Sequence, residues 1–171
     1  MKKLIFISLL FSILSLSVSA QKPTKAEKAA QLEQEFQQTR QLIESNHFQF
    51  ELNRVYPQDG QDLSRFNPRG KFVITDSVAK GTLPFFGRAY SLPYGEGGGI
   101  EFDGVMKDQS LKIEHKKKRK ILIYRFSITA KNDTYQISME ISGGGNCSVN
   151  LNSNNRAQIS YSGTVSPVKD E

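Results

Sequence analysis

Hydrophobic and polar residues follow two different periods along the chain, and the change falls near residue 47. Before it, Ala29, Leu32, Phe36 and Ile43 recur at helical spacing. Thr24 and Glu27 have the spacing of a capping box, in which each side chain bonds a free backbone N–H at a helix start. The pattern predicts one amphipathic helix from about Lys25 to Asn46. Its apolar stripe is narrow and interrupted at Thr39, which favours docking on a sheet edge or a partner over full burial.

From His47 onward apolar residues alternate with polar ones, as they do in strands. Eight runs show this period: Phe48–Leu52, Phe72–Ile74, Ile100–Phe102, Leu111–Ile113, Tyr124–Ile128, Tyr135–Ile141, Cys147–Leu151 and Ile159–Tyr161. Short turn sequences such as PQDG, NPRG and SGGGN join several of them, which is typical of antiparallel neighbours. We therefore predict a mostly β fold: a single antiparallel β domain, either a barrel, lipocalin-like included, or a two-layer sandwich. Both architectures bury one face of each strand, so alternation does not separate them.

The first twenty residues have the order of a secretory signal peptide. Lys2 and Lys3 precede an uncharged apolar run that ends in Val18-Ser19-Ala20. A membrane anchor is the alternative, but no stop-transfer pattern follows. We expect cleavage after Ala20, no lipid attachment, no membrane span in the mature chain, and a periplasmic or secreted protein. The expected organisation is a signal peptide at 1–20, a helical segment at 21–46, the β domain at 47–167 and a tail at 168–171.

Charge and rare residues narrow the chemistry. Loss of Lys2 and Lys3 leaves 21 of the 23 basic residues against 17 acidic ones, a net charge of +4, and export makes nucleic acid an unexpected partner. Cys147 is the only cysteine, so no internal disulfide can form; its strand phase matches Val149, which predicts a buried and unreactive thiol. Two histidines, His47 and His115, do not suggest a metal site, and we expect no metal or cofactor.

No familiar catalytic motif occurs in the chain. The YGEGGG stretch lacks the context of a phosphate loop, because a strand-like segment follows it and not a helix. Ser91, Ser160 and Ser162 lie outside any nucleophile motif. Glu101 and Asp103 share one strand face and could pair for acid–base chemistry, but solvated side chains are the more common outcome. These observations disfavour an enzyme.

The segment LPFFGRAYSLPYGEGGGIEFDG, residues 83–104, carries the first candidate site. Its aromatic residues should fold back over one end of the β domain, because each buried ring contributes about 1.5–3 kcal/mol. A ligand, if bound, would lie beneath this lid near its cation. The candidate residues are Phe85, Phe86, Arg88, Tyr90 and Tyr94.

A run of consecutive cations between two strand-like segments is the second candidate. It could attract anionic lipid or polysaccharide, although a solvated hairpin tip guarded by lysine is the expected reading. The residues are Lys116, Lys117, Lys118, Arg119 and Lys120. Arg88 and Arg156 could also hold an anion, but each is better explained as a buried arginine paired with Asp103 or with a loop carbonyl.

The stretches LPFFGRAY, GGGIEFDG and NSNNRAQISYSGTVSP, together with the N-terminal helix, resemble the family catalogued as domain of unknown function 4251. The resemblance extends from about Ala26 to Pro167. It implies an exported protein of Gram-negative bacteria and supplies no activity or site residue. We therefore expect a non-catalytic binding or envelope-accessory domain, whose candidate partners are an apolar or anionic small ligand and an envelope protein. The alternatives are a hydrolase acting on an envelope or extracellular polymer, and a structural protein-interaction module.

Overall fold

The computed structural model describes residues 24–60, 63, 66–91, 98–116, 119–130 and 133–169. The expected signal peptide, residues 1–20, lies outside them. Within the described residues the elements are α1 (Lys25–Glu44), β1 (His47–Pro57), β2 (Lys71–Thr75), β3 (Val78–Leu83), β4 (Ile100–Lys116), β5 (Arg119–Thr129), β6 (Thr134–Ser142), β7 (Asn146–Ser153) and β8 (Ile159–Pro167), with a 3₁₀ turn at Gly143–Gly145. None of the described helical residues forms a segment long and apolar enough to span a membrane.

The predicted helix start is correct in detail. The Thr24 N–H donates to Glu27 Oε2 at 2.7 Å, and the Glu27 N–H donates to Thr24 Oγ1 at 3.2 Å. Farther along, the buried face of α1 consists of Phe36, Thr39 and Ile43, so Thr39 belongs to the stripe that it was expected to interrupt. Its hydroxyl donates to the Glu35 carbonyl at 2.9 Å, which satisfies the polar group within the helix.

The eight strands form a closed barrel in which each strand pairs with its neighbours in sequence, and β1 closes on β8. All pairs are antiparallel. The prediction of a mostly β, antiparallel domain is therefore confirmed, and the barrel replaces the sandwich alternative. Alternate residues of each strand point inward, as the buried series Tyr135, Ile137, Met139 and Ile141 of β6 illustrates.

Two strand predictions were wrong: one strand was missed, and one was predicted as two. The predicted and observed numbers of strands are therefore both eight. The strand β3, with sequence VAKGTL, was not predicted because its inward positions are the small Ala79 and Gly81 followed by Leu83. The predicted runs at Ile100–Phe102 and Leu111–Ile113 are parts of one strand, β4. A register shift between Lys107 and Ser110, with Asp108 at φ 53°, makes a bulge that interrupts the alternation.

Side chains fill the barrel interior. The rings of Phe50 and Phe72 stack with centroids 5.0 Å apart, Phe72 lies 5.8 Å from Phe102, and Phe102 lies 6.1 Å from Tyr135 across the interior. Phe48, Phe50, Phe72 and Leu122 have no exposed surface. The interior around these four side chains is therefore closely packed.

The two ends of the barrel are closed by different parts of the chain. At the helix end, α1 packs near the β6–β7 turn, where a methyl group added at Gly143 would lie 3.2 Å from the Phe36 nitrogen. Phe36 and Ile43 join the barrel core there. At the loop end lie the described residues of four connections, namely 58–60, 63 and 66–70 after β1, 84–91 and 98–99 after β3, 130 and 133 after β5, and 154–158 after β7. The antiparallel meander therefore places the two candidate sites at opposite ends, the aromatic segment at the loop end and the cationic run at the helix end.

Candidate functional site

The aromatic segment is anchored by its backbone to the connection between β7 and β8. The Tyr90 N–H donates to the Asn155 carbonyl at 2.8 Å, and the Ala157 N–H donates to the Arg88 carbonyl at 2.9 Å. Ala89 and Arg156 form an isolated antiparallel bridge between these bonds. The part of the segment from Arg88 to Tyr90 therefore lies against the β7–β8 connection at the loop end.

The predicted burial of most of the rings is wrong for two of them. Phe85 is half-buried and packs against the core. Phe86 is 37% exposed and Tyr90 63% exposed, and Arg88 is also exposed. Next to this segment lies the buried Tyr161, whose hydroxyl donates to the Pro84 carbonyl at 2.9 Å.

Tyr94, the fifth predicted residue of the aromatic site, lies outside the described residues. Among the other four, Phe85 faces the core whereas Phe86, Arg88 and Tyr90 face solvent. The described residues of this site therefore line an exposed surface and do not enclose a ligand.

A buried ion pair braces the loop end beneath this segment. The Arg156 Nε lies 4.0 Å from Asp133 Oδ2, with side-chain exposures of 5% and 6%, and Arg156 Nη1 donates to the Gly98 carbonyl at 3.2 Å. The guanidinium also lies 5.4 Å from the Phe85 ring centroid, within cation–π distance. Arg156 Nε has no hydrogen-bond partner among the described residues.

Asp133 is fixed by three further donors. Its Oδ1 accepts from the backbone N–H groups of Thr134 at 2.8 Å and Asn154 at 3.2 Å, and its Oδ2 accepts from the Ser153 hydroxyl.

The expectation that Arg156 is buried against a loop carbonyl is confirmed by its bond to Gly98. The alternative partner that was expected, Asp103, does not bind either arginine, because it pairs with Lys80. The expected burial of Arg88 is wrong, because Arg88 is exposed.

Two lysines of the cationic run form ion pairs within the fold. Lys116 Nζ lies 2.7 Å from Glu140 Oε2, and this hydrogen bond raises the pKa of Lys116. Lys120 Nζ lies 2.9 Å from Glu33 Oε1, which lowers the pKa of that carboxyl. Arg119 is exposed, and Lys117 and Lys118 lie outside the described residues.

A groove of about 1040 Å³ crosses the strands β1 to β4 and is the site that sequence reasoning missed. The register aligns Glu51, Lys71, Thr82 and Glu101 in one row across the four strands, and Val73, Lys80 and Asp103 in the next. Among the described residues its lining consists of Glu51, Leu52, Arg69, Gly70, Lys71, Val73, Lys80, Gly81, Thr82, Glu101, Phe102, Asp103 and Ala130. Finding this row from sequence requires β3, the strand that alternation did not predict.

The groove carries three cations and three carboxylates, and several of them are already engaged. Lys80 Nζ lies 2.8 Å from Asp103 Oδ2, a bond that raises the pKa of Lys80. Glu51 accepts from Lys169 at 3.2 Å. Arg69 and Glu101 are exposed and form no ion pair within the described part of the chain. As far as the described residues show, the groove therefore offers a ligand one guanidinium and one carboxylate that are not bound within the fold.

The remaining chemical candidates are dispersed. Neither His47 nor His115 lines the groove. Cys147 is a free, buried thiol whose pKa is raised by burial. In the described ranges, no three histidine, cysteine or acidic side chains cluster in a way that could hold a metal ion.

Comparison with known proteins identifies the family. The family model for the domain of unknown function DUF4251 matches residues 30–165. A search of curated proteins finds no match. Among solved structures, the chain is similar to the crystal structure of a DUF4251 family protein from Bacteroides eggerthii, with 21% identity, a TM-score of 0.57, and coverage of 81% of this chain and 91% of that one. The barrel described above thus has a counterpart in a crystal structure, and the chain belongs to the DUF4251 family.

Proposed function

We propose that this protein is an exported, non-catalytic binding domain whose ligand occupies the groove across β1 to β4. The observation that carries the proposal is the groove itself. Its volume, about 1040 Å³, is slightly above the range typical of small-molecule sites, about 300–1,000 Å³. The barrel interior offers no comparable space beside Phe48, Phe50, Phe72 and Leu122, which are fully buried.

The lining suits a ligand with both apolar and polar parts. Half-buried Leu52, Val73 and Ala130 supply apolar surface, whereas Arg69 and Glu101 supply charges of opposite sign. A ligand that carries one acidic and one basic group would satisfy both charges. An uncharged apolar ligand would leave the charges of Arg69 and Glu101 in water at the rim. That arrangement carries no desolvation penalty, but it adds no specificity.

Substitution of the groove floor tests the proposal. Val73→Arg should fill the groove and abolish retention of the ligand. Val105→Arg is the matched control, because Val105 is 57% exposed on β4 and does not line the groove. Native mass spectrometry of each variant, purified from its exporting host, measures the retained mass. Equal retention by both variants, or no retained molecule in the unmodified protein, would contradict the proposal.

The export part of the proposal rests on the sequence of residues 1–20 and has its own test. The intact mass of protein recovered from the exporting host should correspond to a chain that begins at Gln21. A soluble species that retains Met1 to Ala20 would be inconsistent with cleavage. This result is independent of ligand binding.

A hydrolase acting on an envelope polymer is the second candidate, because Glu101 and Asp103 both line the groove. A carboxyl group acting as general acid must stay protonated near neutral pH, which usually requires an apolar setting. Glu101 is exposed, and Asp103 is 59% exposed and ion-paired with Lys80. The setting favours binding over catalysis. Turnover of an envelope glycan or peptide that is lost in Glu101→Gln would reverse this preference.

A further inference from the structure

The strand β4 changes partner halfway along its length and leaves an open edge. Its first part, Ile100–Val105, pairs with β3, and its later part, from Met106 to Lys116, pairs with β5. Among the described residues, no strand pairs with the other side of β4 after Met106. Beyond the bulge, the seven residues from Ser110 to Lys116 form an uninterrupted edge.

Along this edge Ser110 and Leu111 are half-buried, whereas the side chains from Lys112 to Lys116 are exposed. Lys112 and Glu114 are exposed on one face and form no ion pair within the described part of the chain. Between them, Ile113 is 40% exposed on the other face. Unpaired N–H and C=O groups along such an edge are a template for another strand, and natural edges are usually protected by bulges or by charged side chains, lysine above all, as Lys112 and Lys116 could do here. Here the two central charges have opposite sign.

We propose that this edge pairs with the same edge of a second copy, antiparallel, about a two-fold axis at Ile113. A two-fold axis perpendicular to the sheet leaves each face of the sheet on the same side in both copies. Opposed residues must then point to the same face, so the axis lies midway between the two copies of one residue. With the axis at Ile113, Lys112 of each copy opposes Glu114 of the other. The two isoleucines meet at the centre, and opposite charges directly across a strand pair are stabilising.

The neighbouring registers are disfavoured by charge. An axis at Lys112 places the lysines of the two copies opposite each other. An axis at Glu114 places the two glutamates opposite each other and also opposes Lys112 to Lys116. In the proposed register Lys116, which is already bound to Glu140, opposes the neutral Ser110. An axis at His115 would oppose Glu114 to Lys116, but that lysine is already bound to Glu140. Pairing between uncommitted charges therefore favours the axis at Ile113, and the occupant is a second copy of this chain. The edge lies outside the β1–β4 groove, so the inference does not depend on ligand binding.

A charge-swap cycle tests the register. Sedimentation equilibrium on protein purified from exporting cells should show a dimer. Lys112→Glu alone and Glu114→Lys alone should each weaken association about tenfold, because the symmetry places two like-charge contacts in each dimer. The double variant K112E/E114K should restore the association of the unmodified protein. A monomeric unmodified protein, or a double variant no tighter than the single ones, would overturn the proposal.

Cross-linking provides a second, geometric measurement. In an antiparallel pair the Cα atoms of opposed residues are about 4.5–5.5 Å apart, which a disulfide can bridge. Ile113→Cys should therefore form a covalent dimer under mild oxidation. Ser110→Cys is the control, because its two copies would lie six residues apart along the strands, about 20 Å. Native Cys147 is buried and does not interfere. Cross-linking through position 110, or none through position 113, would overturn the register.

Discussion

Arg156 and Asp133 form a buried ion pair at the loop end, with 4.0 Å between Nε and Oδ2. They join the β7–β8 connection to the β5–β6 turn, and the guanidinium adds a bond to Gly98 on the segment before β4. Three connections distant in sequence therefore meet at one charged side chain. A buried charge requires such partners, because desolvation is otherwise costly.

Arg156→Met should destabilise the protein by about 3 kcal/mol, since it leaves the Asp133 carboxylate buried without its cation. Arg88→Met is the control, because Arg88 lies across the adjacent backbone bridge and is exposed; it should change stability by less than about 0.5 kcal/mol. Urea unfolding followed by circular dichroism measures both. Equal effects of the two substitutions would show that the ion pair does not brace this end.

Gly163→Ala should destabilise the barrel by about 1–3 kcal/mol through overpacking. An added Cβ at Gly163 would lie 2.0 Å from the Glu51 carbonyl and 2.7 Å from the Phe50 ring, so β1 and β8 would have to separate. Gly98→Ala is the matched control, since no heavy atom lies within 4 Å of its added Cβ. The melting temperatures of the two variants, measured by thermal unfolding, test this prediction. An unchanged melting temperature for Gly163→Ala would contradict the close approach of these strands.

The thiol of Cys147 should resist labelling in the native protein. It is 3% exposed, and burial raises its pKa above the ordinary value, so the reactive thiolate is scarce. Raising the pH from about 7 to 9 increases the thiolate of an ordinary cysteine but should hardly accelerate native labelling. Absorbance with a disulfide reagent measures the rate, and protein unfolded in urea is the control. Rapid stoichiometric labelling of native protein at pH 7 would contradict burial.

Lys120→Gln should lower stability slightly, and the effect should shrink at high salt, because it removes an exposed ion pair with Glu33. The lysine also lies 5.6 Å from the Phe36 ring centroid. Lys120→Met is the informative control, since it keeps apolar contact with that ring while it removes the charge. Melting temperatures at low and high salt separate the two contributions. A large, salt-independent loss in Lys120→Gln alone would assign the effect to packing.

Local patterns determined much of this protein. The capping box located the start of α1, and period-two alternation identified β5, β6, β7 and β8 with their inward residues, because these signals depend on neighbours within a few positions. The phase of Cys147 likewise predicted its burial. The motifs such as LPFFGRAY also indicated the family, and the model of that family matches residues 30–165.

Only the tertiary structure decided the rest, since it depends on pairing between distant segments. Alternation is identical in a barrel and a sandwich, and closure became evident only when β1 paired with β8. The strand β3 carries small inward residues and was invisible as a pattern, so the groove that its register creates was invisible too. Asp133 became the partner of Arg156, and Asp103 that of Lys80, because the meander brings their strands and turns together.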